Sequence, residues 1–451
     1  MSDSSAKSTV RTLSVAAAED ALASAGPTIH VTGPTRVMEA GPNVVPSGRA
    51  LVPMPVGMDW LLFGTVMLVA TIGVTMAFSA SIFTAVHNHA GNENFFLTRH
   101  LVYATLGLVV MMIGAHFPYQ GWKQLAYPVL GFTVASLIAV LLFGETRNRA
   151  TRWLMLGPIS FQPAEVAKLA FIIYLARSLS KKAKTNAIST FHIGLLPHML
   201  VWVVLLFLCM KQPDLGTGLV LAVLLFTMTF VAGARIAYLL FFGTAGAAGL
   251  VWFLVRDPMR SKRIMAFLDP EGHRLATAYQ LFNGKLAIAT GGLFGNGLGA
   301  SRQKLGFIPE AHTDFVLAIV GEELGVIGLS LVAIAFTIIL IRGLRIALHA
   351  RDEFGRLLAL GITLLLGTQA AINFGVVLGL LPTKGLTLPF VSYGGSSLLV
   401  MSMAVGILLN VGRGGRPEFA LPPLFVRGSS RRAPSRPMRR PTTTAAAGGG
   451  A

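Results

Sequence analysis

Four stretches put ionisable or hydrogen-bonding side chains where apolar residues surround them. The sharpest is Pro309-Glu310-Ala311-His312-Thr313-Asp314-Phe315, directly ahead of an apolar run that contains Glu322 and Glu323. A carboxylate at the head of a helix is favoured by the helix dipole, and one within reach of water can take a proton from a hydroxyl. Asp314 is therefore the candidate base. The plainer reading is a cap, with Glu322 and Glu323 as buried hydrogen-bonded acids. Asp314, Glu322 and Glu323 together exceed what a cap requires, so a function is favoured. In Gln162-Pro163-Ala164-Glu165-Val166-Ala167-Lys168, Glu165 and Lys168 are three apart and can pair on one helix face. Taken alone, they read as a structural ion pair. In Gln212-Pro213-Asp214-Leu215-Gly216-Thr217-Gly218, Asp214 precedes an apolar run and reads first as an N-cap. The stretch from Leu381 to Ser397 holds Pro382, Pro389, three glycines and five serine or threonine hydroxyls, Ser392 and Ser396 among them. Such a segment does not form lipid-facing helix, because its backbone groups would go unsatisfied. It reads as a re-entrant or cavity-lining loop whose free N–H groups and Lys384 can hold an anion.

The elements that position these residues follow from composition. Of 451 residues, 53% are apolar and 12% charged, and the mean hydropathy is +0.67. Soluble domains carry about 25% charged residues, so a soluble enzyme, a disordered scaffold and a disulfide-built module are all excluded. The single cysteine, Cys209, closes no intrachain disulfide. A membrane-crossing helix needs about 20 apolar residues. Ten candidate runs lie near 59–84, 100–116, 125–143, 163–179, 194–210, 215–233, 236–255, 314–341, 357–380 and 395–412. The fourth is weakened by Glu165, Lys168 and Arg177. The expected fold is thus an all-α polytopic membrane protein, residues 58–412, with a large extracytoplasmic loop, 256–313, between spans seven and eight. Residues 1–57 and 413–451 read as disordered cytoplasmic tails, since neither has much to bury. With both termini inside, 22 basic residues fall on the cytoplasmic side and 14 outside, as the retention rule asks.

The net charge is +18. Its cytoplasmic part, including eight arginines of the C-tail, suits anionic lipid. A basic tail without interleaved aromatics or a binding fold gives no support to nucleic acid. Eight basic residues in the 256–313 loop suit an anionic ligand, although a long loop also crosses regardless of charge. The run Gly291-Gly292-Leu293-Phe294-Gly295-Asn296-Gly297-Leu298-Gly299 follows no strand and ends in no Gly-Lys-Ser/Thr, so a nucleotide site is rejected. No HExxH, CxxC or Asp-x-Asp signature occurs, so no cofactor is assigned. A divalent cation bridging phosphates to one carboxylate stays open.

These residues resemble a known family. Arg-Trp-Leu through Gln-Pro-Ala-Glu (152–165), Gln-Pro-Asp-Leu-Gly-Thr (212–217), Pro-Glu-Ala-His-Thr-Asp-Phe (309–315) and Pro-Phe-Val-Ser-Tyr-Gly-Gly-Ser-Ser (389–397) look like the SEDS family, over about residues 58–412 and in the same order. Leu-Pro-Thr-Lys-Gly-Leu-Thr-Leu-Pro (381–389) is closer to its division branch than to its elongation branch. The resemblance implies ten membrane helices and polymerisation of peptidoglycan glycan strands from lipid II. It also implies a class B penicillin-binding protein as partner, other divisome proteins, and a place at the division septum. By position it implies Asp314 as the catalytic residue, with Arg152, Glu165, Lys168, Asp214, Glu310, His312 and Lys384 around the substrate; Ser392 and Ser396 join them from the hydroxyl-rich loop. Arg256, Arg260, Lys262, Arg263 and Lys304 are further cations for the pyrophosphate. Two rival readings remain on the residues. A lipid II flippase would use the same intramembrane charges, and a non-catalytic divisome scaffold would tolerate their loss.

Overall fold

The computed structural model describes residues 57–88, 92–147, 150–157, 159–183, 185, 187–272 and 278–414. The expected tails lie almost wholly outside the described residues. Those residues form thirteen α-helices and one small sheet. The first three helices are α1 (Trp60–Asn88), α2 (Phe95–His116) and α3 (Tyr119–Phe143). Strands β1 (Glu145–Arg147), β2 (Ala150–Leu156) and β3 (Ile159–Phe161) follow, antiparallel in the order β1-β2-β3. Next come α4 (Pro163–Ala183), α5 (Leu196–Lys211), α6 (Leu215–Val231), α7 (Ile236–Arg256), α8 (Pro258–Leu268) and α9 (Tyr279–Gly291). The chain closes with α10 (Val316–Glu323), α11 (Gly325–Leu348), α12 (Glu353–Val377) and α13 (Gly395–Gly412).

Among the described residues, eight helical segments are long and apolar enough to cross a membrane. The fourth and sixth expected spans fall short on that measure. Helix α6 has 17 residues, and α4 carries Glu165, Lys168, Arg177, Lys181 and Lys182. Burial explains why α4 tolerates its charges: most of its residues, Glu165 and Lys168 included, are enclosed by the other helices. Helices α12 and α13 are likewise largely buried and form the centre, whereas α7 has no buried residue and lies at the edge.

Three features depart from the sequence reading. The all-α expectation misses the sheet, where Thr146 pairs with Thr151 and Met155 with Ser160. The 256–313 loop is in part helical, through α8 and α9. The eighth run, 314–341, is not one helix. It breaks at Leu324–Gly325, where Gly325 has φ +67°, a left-handed conformation that glycine adopts without strain.

A break inside a membrane helix leaves backbone groups that must be satisfied internally. The glycine run at the end of α9 supplies the partners. Asn296 and Gly297 donate to the carbonyls of Glu322 and Glu323, while Val326 and Ile327 donate to those of Gly292 and Leu293. That run is the splint of the broken helix. A Cβ on Gly291 would fall 2.0 Å from the Gly321 carbonyl oxygen, so the two segments touch backbone to backbone. Gly291→Ala is expected to destabilise the protein by about 1–3 kcal/mol, read as a lowered thermal midpoint by fluorescence size-exclusion chromatography; an unchanged midpoint would contradict the splint.

Candidate active site

Asp314 lies in the turn just ahead of α10, outside the helix and well before the span-length helix α11. Its side chain is partly buried and weakly held: Gln280 Nε2 and Thr313 Oγ1 are each 3.4 Å from Oδ1. Burial pushes the carboxyl up to about 7. Nearby, Glu310 adds to the rise by repelling a second negative charge. Its Oε2 is 3.9 Å from His312 Nε2. His312 is buried, and burial holds its imidazole below its ordinary value. Its ring packs between Phe96 (5.0 Å between centroids) and Tyr393 (5.6 Å), and its carbonyl accepts the Tyr393 N–H. His312 thus ties the Asp314 turn to α2 and to the loop between α12 and α13.

That loop, residues 378–394, has no regular secondary structure, as its prolines and glycines require. It brings Gly385 to Asp314: a Cβ at Gly385 would sit 3.7 Å from Asp314 Oδ2. Lys384, next along, is half-buried and within electrostatic reach of Asp214. Asp214 caps α6, with Oδ1 accepting from Thr217 N and Oδ2 from Thr217 Oγ1. The cap reading of Asp214 therefore holds, and the same carboxylate also faces a cation. The Lys384–Gly385 corner stands between the two acids.

Arg152 on β2 donates from Nε to the Gln212 carbonyl at 3.0 Å and from Nη2 to the Pro213 carbonyl. It fixes the corner that presents Asp214. The Lys168 ammonium is fully buried, 2.7 Å from Glu165 Oε1, while Glu165 Oε2 has no hydrogen-bond partner among the described residues. Lys168, Asp214 and Arg152 all act electrostatically on Cys209, so they share one neighbourhood. The two serines engage the backbone. Ser392 Oγ accepts from Leu388 N at 2.8 Å, folding the loop on itself. Ser396 Oγ donates to the Ser160 carbonyl and accepts from Gln162 N, joining α13 to β3 and the start of α4.

Among the further cations, Lys304 is committed elsewhere: Nζ is 2.9 Å from Glu323 Oε1, 2.9 Å from Ser79 Oγ and 2.8 Å from the Gly299 carbonyl. Glu322 accepts from the backbone N–H groups of Arg302 and Gln303 and from the Ser301 hydroxyl. Both glutamates are the buried, hydrogen-bonded acids of the plainer reading, and they hold the 299–304 turn. No group of three or more His, Cys, Asp or Glu able to hold a metal occurs among the described residues.

Asn373 and Gln280 escaped the sequence reading. From buried α12, Asn373 Nδ2 donates to the Asp314 carbonyl at 3.0 Å and to the Leu386 carbonyl at 2.8 Å. One side chain thereby fixes the distance between Asp314 and the Lys384 loop. The available signal was a lone polar pair, Gln369 and Asn373, one turn apart in an apolar helix. Asn373→Leu is expected to lower turnover by about 10- to 100-fold through misplacement of Asp314, with KM little changed. Steady-state kinetics with unaltered turnover would remove Asn373 from the site.

The family described as cell cycle protein, comprising FtsW, RodA and SpoVE, matches residues 59–416. The "Probable peptidoglycan glycosyltransferase FtsW" of Trichlorobacter lovleyi is 43% identical over 359 residues, 79% of this chain and 93% of that protein. "Stage V sporulation protein E" of Bacillus subtilis is 42% identical over 360 residues, 79% and 98% of the two chains. Among solved structures, a chain from a peptidoglycan synthase complex that coordinates polymerization and crosslinking is similar, with TM-score 0.64 and 29% identity over 80% of this chain and 98% of that one. The rod shape determining protein RodA of Thermus thermophilus is similar with TM-score 0.59, 29% identity and the same coverage.

Proposed function

This chain belongs to the FtsW, RodA and SpoVE family of cell cycle proteins, and from that premise we propose that it is a peptidoglycan glycosyltransferase of the division branch, polymerising lipid II at the outer face of the membrane. The observation that carries the reading is the corner described above: one acid with a raised pKa, and a cation on the neighbouring loop, spliced together by Asn373. Asp314 takes the proton from the 4-hydroxyl of the incoming lipid II. The oxygen attacks C1 of the growing strand's terminal sugar, the C1–O bond to the diphosphate breaks with inversion, and undecaprenyl pyrophosphate leaves with the electron pair. That leaving group needs charge stabilisation more than a proton, and preorganised cations provide it. Lys384, next to the Gly385 that meets Asp314, is the first candidate, and Arg152 and Lys168 stand near Asp214, which Lys384 faces. The family's match to a synthase complex supports a penicillin-binding protein as partner. Other divisome proteins, cytoplasmic termini, a septal location and lipid contact by the C-tail belong to the same proposal.

Purified protein with its transpeptidase partner and fluorescent lipid II tests the reading: glycan ladders support it. Translocation of lipid II in vesicles without polymer would favour a flippase instead.

The pH dependence follows from Asp314. As a base it works only ionised, and with its carboxyl near 7 it is mostly protonated at pH 6. Activity is expected to rise about tenfold per pH unit below 7 and to level off above. Because the Glu310 charge raises Asp314, Glu310→Gln lowers that pKa and shifts the rising limb to lower pH. A limb that stays in place in Glu310→Gln would break this assignment.

A further inference from the structure

Helix α1 touches both halves of the site, at Gly73 and Ser79, roughly 9 Å apart along its axis. At the first point it meets the loop that carries Lys384. A Cβ on Gly73 would fall 2.1 Å from the Phe390 carbonyl oxygen and 2.8 Å from Val391 Cα, so helix and loop touch backbone to backbone. Phe390 is buried and has φ +65°, a left-handed conformation that a bulky L-residue keeps only where its surroundings impose it. The segment is also tied to the Asp314 turn on either side of this seat. Gly385 lies against Asp314 Oδ2, and Tyr393 donates its N–H to the His312 carbonyl.

At the second point α1 meets α10, the helix that Asp314 precedes. Ser79 Oγ donates to Glu323 at the far end of α10, 2.7 Å from Oε1 and 2.9 Å from Oε2, and accepts from Lys304 Nζ at 2.9 Å. Helix α1 is itself fixed at its foot. There Asp59 Oδ1 accepts from Leu62 N at 3.0 Å, and Arg342 Nη2 on α11 lies 2.7 Å from Asp59 Oδ2.

We propose that Gly73 and Ser79 are positioning residues of the reaction, α1 being the common mount that holds the Lys384 loop and the Asp314 helix in register, a reading that deepens the glycosyltransferase assignment and rests on it. A base and a cation that act on one sugar diphosphate must be held closely, since a displacement of about 1 Å can cost about 100-fold in rate. Asn373 fixes the two halves to each other from α12, and α1 fixes both to one rod from the other side. Alanine outranks glycine in a helix interior, so Gly73→Ala leaves α1 intact and acts on the loop.

The test uses the full chain with its transpeptidase partner, fluorescent lipid II and hydrogen–deuterium exchange. Gly73→Ala is expected to lower turnover about tenfold or more, with KM within about twofold of wild type. Exchange in peptides from 378–394 is expected to quicken about fivefold or more while those from α12 keep their wild-type rates. In a Lys384→Met background the same change is expected to cost no more than about twofold, because a positioning residue loses its effect once the group it positions is gone. Where Lys384→Met leaves no measurable turnover, exchange decides. Ser79→Ala adds no atom and carries the test should Gly73→Ala fail to fold: exchange is expected to rise in the 299–304 turn and α10, with turnover down about fivefold. A monodisperse Gly73→Ala protein with wild-type turnover, or with wild-type exchange in 378–394, would overturn the proposal. So would an equal loss in both Lys384 backgrounds, which would reduce the seat to plain packing. A wild-type complex that makes no glycan ladder would overturn the reaction itself, a result separate from any of these.

Discussion

Asp314→Asn is expected to abolish glycan polymerisation while leaving a folded, membrane-inserted protein that still binds its transpeptidase. The replacement keeps the shape and removes only the base. Loss of a positioned general base lowers rate by about 10²- to 10⁴-fold, enough to erase a ladder of products. The fold is spared because the carboxylate holds little in place. Its two side-chain contacts are both 3.4 Å long, and the strong bond in the turn runs from Asn373 to the backbone carbonyl of residue 314, which the variant retains. The informative pair of measurements is therefore polymerisation of fluorescent lipid II and recovery of the intact partner complex. Ladders of normal length from the variant would refute Asp314 as the base and return the scaffold reading to favour. Loss of both activity and complex would mean that the carboxylate has a structural duty its contacts do not reveal.

How far the sequence disclosed this site depended on contrast. Glu310, His312 and Asp314 stand out because an apolar background makes each ionisable group expensive, and the 381–397 stretch stands out because proline and glycine forbid regular helix there. The second reading agrees with the irregular backbone of residues 378–394. The broken helix was hidden for the opposite reason: Leu324 and Gly325 are compatible with a continuing apolar run, and the departure lies in a tertiary contact with a glycine run some 30 residues earlier. That run carries no phosphate-loop signature, and its task is visible only once the carbonyls of Glu322 and Glu323 are seen to need donors. Strands β1 and β3 have three residues each, too few for a period-two pattern, and in β2 the continuous apolar run Trp153–Leu156 breaks the alternation. Asn373 illustrates the hardest case. A single amide in an apolar helix has many bland uses, and only the two carbonyls it bridges give it meaning. Lys304 shows the converse, since a basic residue in an outer loop invited a phosphate and the structure gives it Glu323 instead.

Lys168→Met is expected to cause the largest loss of stability. Lys168 is fully buried beside Glu165 at 2.7 Å, so the substitution strands a carboxylate among helices with no water to solvate it. Removing one member of a buried pair costs about 3–5 kcal/mol, whereas replacing both with apolar side chains of similar volume is often neutral. The double variant Lys168→Met with Glu165→Leu should accordingly recover most of the thermal midpoint that the single variant loses. A merely neutralising pair would then leave polymerisation intact in the double variant. The shared neighbourhood with Asp214 and Arg152 argues otherwise: under the proposed function this cation contributes to the field around the departing diphosphate, so the double variant is expected to be stable and at least tenfold slower. Fluorescence size-exclusion chromatography reads the first quantity and lipid II turnover the second. A stable double variant with full activity would reduce the pair to structure and leave Lys384 and Arg152 as the working cations.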